Sequence, residues 1–316
     1  MRVIDCGYNP KLFQEVVGRG GVAFCSPRPS QKESDSSSHL VPDSSSGMDQ
    51  AVKMIFQEAK EQMSNFDMDC IEAFKRGDRV GLPFEGHSMF QPVDEQRLLM
   101  ALRSNQGSDE SSIVDCFLQF VGNYQYATRN QFMWDWFVYH QEHHGTGYGR
   151  TMRDHFSLIR HLVKYGGKMS LDDKLAKVFE ISDDANSFGN GSLALCYPAY
   201  YYGTGIGGDP TEFVKQVTSF THAHDEAMRA VTLLCNFIKS PQMLKEFQVP
   251  TEDELKQLYC REPQVTAYNT LLTAVFISDA DSEMDVIRRG VWVGGDTDST
   301  LATALLLWTL KRKASV

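Results

Sequence analysis

The chain has 316 residues, of which 42% are hydrophobic and 11% aromatic, enough to bury one large core or two ordinary ones. Its formal net charge of −10 excludes a broad basic face, and with it nucleic-acid binding as the main role. No run reaches the roughly 18 apolar residues of a membrane span, and seven cysteines (Cys6, Cys25, Cys70, Cys116, Cys196, Cys235, Cys260) without a CxxC spacing point to reduced, mostly buried thiols.

The first residues, "MRVIDCGYNPKLF", lack the apolar stretch of a signal peptide. Residues 26–47, "SPRPSQKESDSSSHLVPDSSSG", are rich in Ser, Pro and charge and read as a disordered linker. The expected organisation is a leader over 1–47 and one folded domain over 48–316. The leader reads either as a delivery segment, as in bacterial effectors injected into host cells, or as a terminus without a role. The expected location is the cytoplasm, or a host cytosol after secretion by a bacterium.

From Gly47 onward the pattern is helical. "DQAVKMIFQEAKEQM" places Val52, Ile55, Phe56, Ala59 and Met63 on one face. "EQRLLMALRS", "DHFSLIRHLVKYG", "PTEFVKQVTSFTHAHDEAMRAVTLLCNFIKS", "TAYNTLLTAVFIS" and "LATALLLWTLKRK" read the same way, several stopping at Gly or ending in basic residues. Few runs alternate with period two, so the expected fold class is all-α.

Four stretches join glycines to polar or acidic residues between apolar helices. "AFKRGDRVGLPFEGH" (73–87) puts Glu85 in a loop after Gly77, Gly81 and Pro83. "HHGTGYGRTMRDHF" (143–156) and "NSFGNGSLALCYP" (186–198) place glycine turns before helices, where free N–H groups suit anions; either is as well read as a plain connection. "VWVGGDTDST" (291–300) offers Asp296, Asp298 and two hydroxyls in a row, which is a helix cap or an oxygen cluster for a hard cation. "HQEHH" (140–144) lacks the spacing of a zinc helix and reads as a solvated or ligand-near loop, whereas "MWDWFVYH" (133–140) reads as core. His222 and His224, placed on one long helix, are buried hydrogen-bonded residues or ligand contacts.

In order, these stretches resemble the ADP-ribosylhydrolase family, which includes the dinitrogenase reductase-activating glycohydrolases. The family's closing "GGDTDT(I/T)A" is matched by "GGDTDSTLA", with Ser299 where Thr is usual. Its "GDxxGxxxE" is matched by Gly77, Asp78, Gly81 and Glu85, its "GYG" by Gly147-Tyr148-Gly149, its "SxGNG" by Ser187-Phe188-Gly189-Asn190-Gly191, and its "TH" by Thr221-His222. Coverage runs from about Phe66 to the C-terminus. The family's "(T/S)DDT" falls by helix register on "VDEQ", where Asp94 survives, Glu95 replaces Asp, and Val93 and Gln96 replace the hydroxyls.

The resemblance implies a single compact orthogonal helical domain with a central cleft, acting as a monomer on an ADP-ribosylated protein, with ADP-ribose as product and no nucleic acid or membrane partner. The reaction implied is cleavage at ribose C1″ through an oxocarbenium-like state. The implied cofactor is Mg²⁺, one ion or two with weakened dependence, held by Asp94, Glu95, Asp296, Asp298 and Ser299. Glu85 is the implied base or gate, with Asp94 and Asp296 beside it in catalysis. Gly147, Tyr148, Gly149, Ser187, Phe188, Gly189, Asn190, Gly191 and His222 are implied to hold the nucleotide, the glycine turns through N–H groups and Phe188 or Tyr148 by covering a ring. Two other readings go with the altered "VDEQ": a non-catalytic ADP-ribose-binding module, or another reaction at a ribosyl centre.

Overall fold

Helix dominates wherever the chain is described: residues 68–124, 128–143, 147–181, 187–259 and 265–315 of a computed structural model hold fourteen α-helices and no strand. The all-α expectation is met. The 1–47 segment and the amphipathic stretch at 49–63 lie outside the described residues. In chain order the helices are α1 (Met68–Gly81), α2 (Glu95–Ala101), α3 (Asp109–Tyr124), α4 (Arg129–His143), α5 (Arg150–Tyr165), α6 (Leu171–Ile181) and α7 (Cys196–Gly205). There follow α8 (Pro210–Thr218), α9 (Asp225–Lys239), α10 (Met243–Glu246), α11 (Glu252–Tyr259), α12 (Ala267–Ser278), α13 (Glu283–Val293) and α14 (Thr297–Lys313). Short 3-10 turns follow α1 (Leu82–Phe84) and precede α7 (Asn190–Leu193).

The central rod is α14. Its residues from Thr297 to Leu307 are buried on every side, as an apolar helix without a polar face requires. Helices α1, α12 and α13 pack around it. Bare glycines set the closest approach: a Cβ added at Gly77 would lie 2.3 Å from the Leu301 carbonyl oxygen, and one at Gly81 would lie 2.5 Å from Asp298 Cα. Their four-residue spacing puts both on one stripe of α1, so the two backbones meet without side chains between them. On the far side, α3 packs on α1, α4 and α7, and α6 packs on α4 and α5.

The stretch at 133–140 is core: Met133, Trp136 and Phe137 are buried, and the Trp136 ring meets Phe132, Tyr148 and Phe156 edge-on. Two local expectations are corrected. His140 and His143 are on α4 rather than in a loop; His140 stacks on Phe156 at 4.6 Å between centroids, and His143 Nδ1 donates to the Tyr139 carbonyl oxygen at 3.0 Å. The long helix expected over 210–240 is two helices, because α8 stops at Thr218 and His224 caps α9 by accepting from Glu226 N at 3.1 Å. His222 therefore sits in the break and not along a helix.

Cys70, Cys116, Cys196 and Cys235 are buried and in no disulfide, as expected. Among the described residues no helix is long and apolar enough to cross a membrane.

Candidate active site

The close contact of α1 with α14 brings Asp78 toward Asp298, and α3 completes the group. Asp78 acts as a cap supplied from another helix. Its oxygens accept from Ser108 N at 3.0 and 3.1 Å, from Ser108 Oγ at 2.7 Å and from Ser111 N at 3.1 Å, which satisfies the first N–H groups of α3. That fixes Glu110 in the first turn, where one oxygen is hydrogen-bonded to Ser108 Oγ and the other accepts from Ser299 Oγ of α14. Asp298 accepts from Ser299 N at 3.0 Å.

Asp78, Glu110 and Asp298 are all buried, and each offers a carboxylate oxygen within 4.8 Å of the others. No Lys or Arg among the described residues pairs with any of them. Buried like charges without a counter-ion are costly, and protons compensate. Burial, then the Glu110 charge, then a hydrogen bond with Asp296 push the Asp298 carboxyl up to about 11. Burial, then the charges of Asp78 and Asp296, push Glu110 up to about 7. Burial also raises Asp78, against the hydrogen bonds from Ser108 and Ser111. An all-oxygen, buried set of this kind fits a hard divalent cation, which would replace the protons.

The cluster floors a cavity of about 460 Å³. Glu110 and Asp298 face the cavity; Asp78, its oxygens occupied by α3, stands behind them. Two isolated backbone bridges draw distant loops to the wall. His87 pairs with Gly295, through Gly86 N to Gly295 O at 2.8 Å and Gly295 N to His87 O at 3.0 Å, and so sets Glu85 near Asp296. Gly294 and Gly295, with φ of 72° and 77°, make the reversal from α13 into α14 that this pairing needs. Gly189 pairs with Thr266, and Asn190 Nδ2 then donates to Asp296 Oδ2 at 2.9 Å and to Thr270 Oγ1 at 3.2 Å. Burial in the cavity, then the charges of Asp296 and Asp78, raise the Glu85 carboxyl above its ordinary range. His222 lies against Gly189 and Gly191, and its Nδ1 is 2.8 Å from Thr221 Oγ1. Burial pulls its pKa down to about 4, so it is a neutral imidazole at physiological pH.

The cavity thus gathers Glu85, Gly147, Gly149, Ser187, Phe188, Gly189, Asn190, Gly191, His222, Asp296, Asp298 and Ser299. Tyr148 stands behind the wall, buried, with its hydroxyl accepting from Trp136 Nε1 at 3.2 Å. Asp94 and Glu95 are a correction, since neither lines the cavity. Asp94 is spent as the cap of α2, accepting from Gln96 N at 3.0 Å and Arg97 N at 3.1 Å, and Glu95 pairs with Arg288 at 3.1 Å on the surface. The residues missed are Ser108, Asp109, Glu110 and Ser111. "SDES" keeps both hydroxyl positions and the first Asp of "(T/S)DDT", with Glu110 at the second acid, and it opens a helix 30 residues after Asp78. The sequence carries this match, and the acid pair at 94–95 competes with it because it too opens a helix.

Fold and site together define an all-α protein with a buried acidic cluster under a glycine-rimmed cavity. No family model matches the chain, and no curated protein matches it. Among solved structures it is similar to a chain of an "ADP-ribosylglycohydrolase-related protein complex", at 17% identity and a TM-score of 0.49, covering 81% of this chain and 88% of that one. At that identity and score the likeness leaves activity and site to the residues themselves.

Proposed function

We propose that the chain is a mono-ADP-ribosyl-protein hydrolase, which cleaves the ribosyl C1″ bond between ADP-ribose and a protein side chain with Mg²⁺ as its ion. The observation that carries this reading is the His87–Gly295 bridge, which brings Glu85 and Asp296 to one cavity above a carboxylate cluster suited to a cation. The motif resemblance supports the same assignment.

Glu110 and Asp298, backed by Asp78, would hold the ion, with Ser299 and Asp296 beside them. Bound there, a divalent ion supplies Lewis-acid charge that orients ribose hydroxyls and water. Glu85, with its raised pKa, takes a proton from the attacking water as the C1″ bond to the side chain breaks, and that proton passes through solvent to the departing side chain. Asn190 holds the Asp296 carboxylate in place. The loops at 147–149 and 187–191 offer N–H groups to the diphosphate, and the exposed Phe188 ring offers a face to a flat base.

The test is incubation with arginine- and serine-linked ADP-ribosyl peptides, with and without chelator. Wild type releases ADP-ribose with Mg²⁺, and Glu85→Gln and Asp296→Ala stay folded without releasing it. Full activity in either variant overturns the assignment. Tight ADP-ribose binding by wild type without turnover replaces it with the binding-module reading.

A further inference from the structure

The cavity carries five carboxylates, from Glu85, Asp109, Glu110, Asp296 and Asp298, yet the proposed substrate brings a diphosphate into it. Whether Asp298 and Glu110 hold protons or an ion, these acids offer the phosphates no positive partner of their own, and the buried His222 is neutral. Among the described lining residues, one Lys or Arg is present, namely Arg153. It lies one turn into α5, donating its N–H to Gly149 O at 3.1 Å, and its guanidinium donates through Nη1 to Tyr148 O. That anchor holds the group beside Gly147 and Gly149 at the rim. Tyr148 O is its one polar partner among the described residues, and a guanidinium has five N–H donors in a fork that matches phosphate.

We infer that Arg153 is the specificity-determining cation of the cavity: it seats the diphosphate and makes the site select phosphate-bearing ribosides over bare ones. This rests on the reading of the cavity as an ADP-ribosyl site and adds which residue recognises the anion. Arg153 is a binding residue here, so its loss acts on affinity.

The experiment is calorimetric titration of ADP-ribose, adenosine and inorganic pyrophosphate into wild type, Arg153→Gln and Arg153→Lys. The expected result is a loss of roughly 10- to 100-fold in ADP-ribose affinity for Arg153→Gln, the size of a lost charge-assisted contact. Pyrophosphate binding falls alongside, adenosine binding stays as in wild type, and Arg153→Lys lies between. Wild-type affinity for ADP-ribose in Arg153→Gln overturns the inference. So does an equal loss for adenosine, which would mark Arg153 as a prop for the Tyr148 turn, and so does failure of wild type to bind either phosphate compound. Wild type that binds ADP-ribose through Arg153 but releases none from modified peptides removes the hydrolase assignment and leaves the role of Arg153 standing.

Discussion

Asp78 and Ser108, thirty positions apart, are joined by three hydrogen bonds: Ser108 N reaches both carboxylate oxygens of Asp78, and Ser108 Oγ reaches one of them. A residue of α1 is therefore the cap of α3, and the position of Glu110 depends on it. Asp78 and Asp298 belong to the same cluster with opposite structural balances: Asp78 is satisfied by several donors, whereas Asp298 accepts one backbone N–H amid like charges.

Replacing Asp298 by Asn is expected to stabilise the ion-free protein at neutral pH by about 1–2 kcal/mol, since folding no longer has to protonate a buried carboxyl and the shape is kept. The same variant loses divalent-ion affinity by more than about 100-fold. Urea denaturation in chelator, set beside calorimetric titration of Mg²⁺ or Mn²⁺, reads both. A variant less stable than wild type in chelator contradicts the strained-cluster account.

The ion-free protein loses stability as pH rises above 6.5. Glu110 and Asp298 hold their protons more tightly folded than unfolded, so the native state binds more protons and the slope is negative. Their contribution is full below the ordinary carboxylate range, near about 4.3. It fades through about 7 for Glu110 and toward about 11 for Asp298. The depressed pKa of His222 acts with the opposite sign, but only between about 4 and its ordinary 6.5. Melting temperatures from pH 6.5 to 8.5 should fall in chelator and flatten with Mg²⁺; a rise in chelator would reverse the proton count.

Gly77→Ala is expected to cost about 3 kcal/mol or more, because the added Cβ meets α14 backbone, not a movable side chain. Gly149→Ala is the control: nothing lies within 4 Å of its added Cβ, so stability changes by less than about 0.5 kcal/mol. Denaturation midpoints of the two variants distinguish a backbone clash from a general intolerance of alanine.

Asp94→Ala should cost about 1 kcal/mol as a lost cap, and Glu95→Gln less than about 0.5 kcal/mol as a lost surface pair. Both should keep wild-type divalent-ion affinity, while Glu110→Gln loses it. Ion titration of the three variants decides between residues 93–96 and 108–111 as the second acidic motif.

What was legible in the sequence was chemistry held locally. "GGDTDST" carries its glycines, acids and hydroxyl in one stretch, and the cavity contains Asp296, Asp298 and Ser299. "VDEQ" showed the limit. Asp94 does begin a helix, so the cap signal there was sound, but no local pattern says whether a helix start faces solvent or a buried neighbour. For "SDES" that depends on Asp78 reaching across from α1, a relation between distant residues. The break at 219–224 escaped for a similar reason: apolar periodicity continues through it, and the interruption comes from the turn at Thr218–His222 and the His224 cap.

The contact of Thr297 Oγ1 with the Phe84 carbonyl oxygen spans 213 positions. Since α1 packs on α14, the two halves of the cluster leave the ribosome far apart in time, and the first waits with its acids and glycine stripe uncovered until the second arrives. A chain cut before Gly294 would lack Asp298 and Ser299 from the floor of the cavity and Asp296 from its wall, however well α1 had folded.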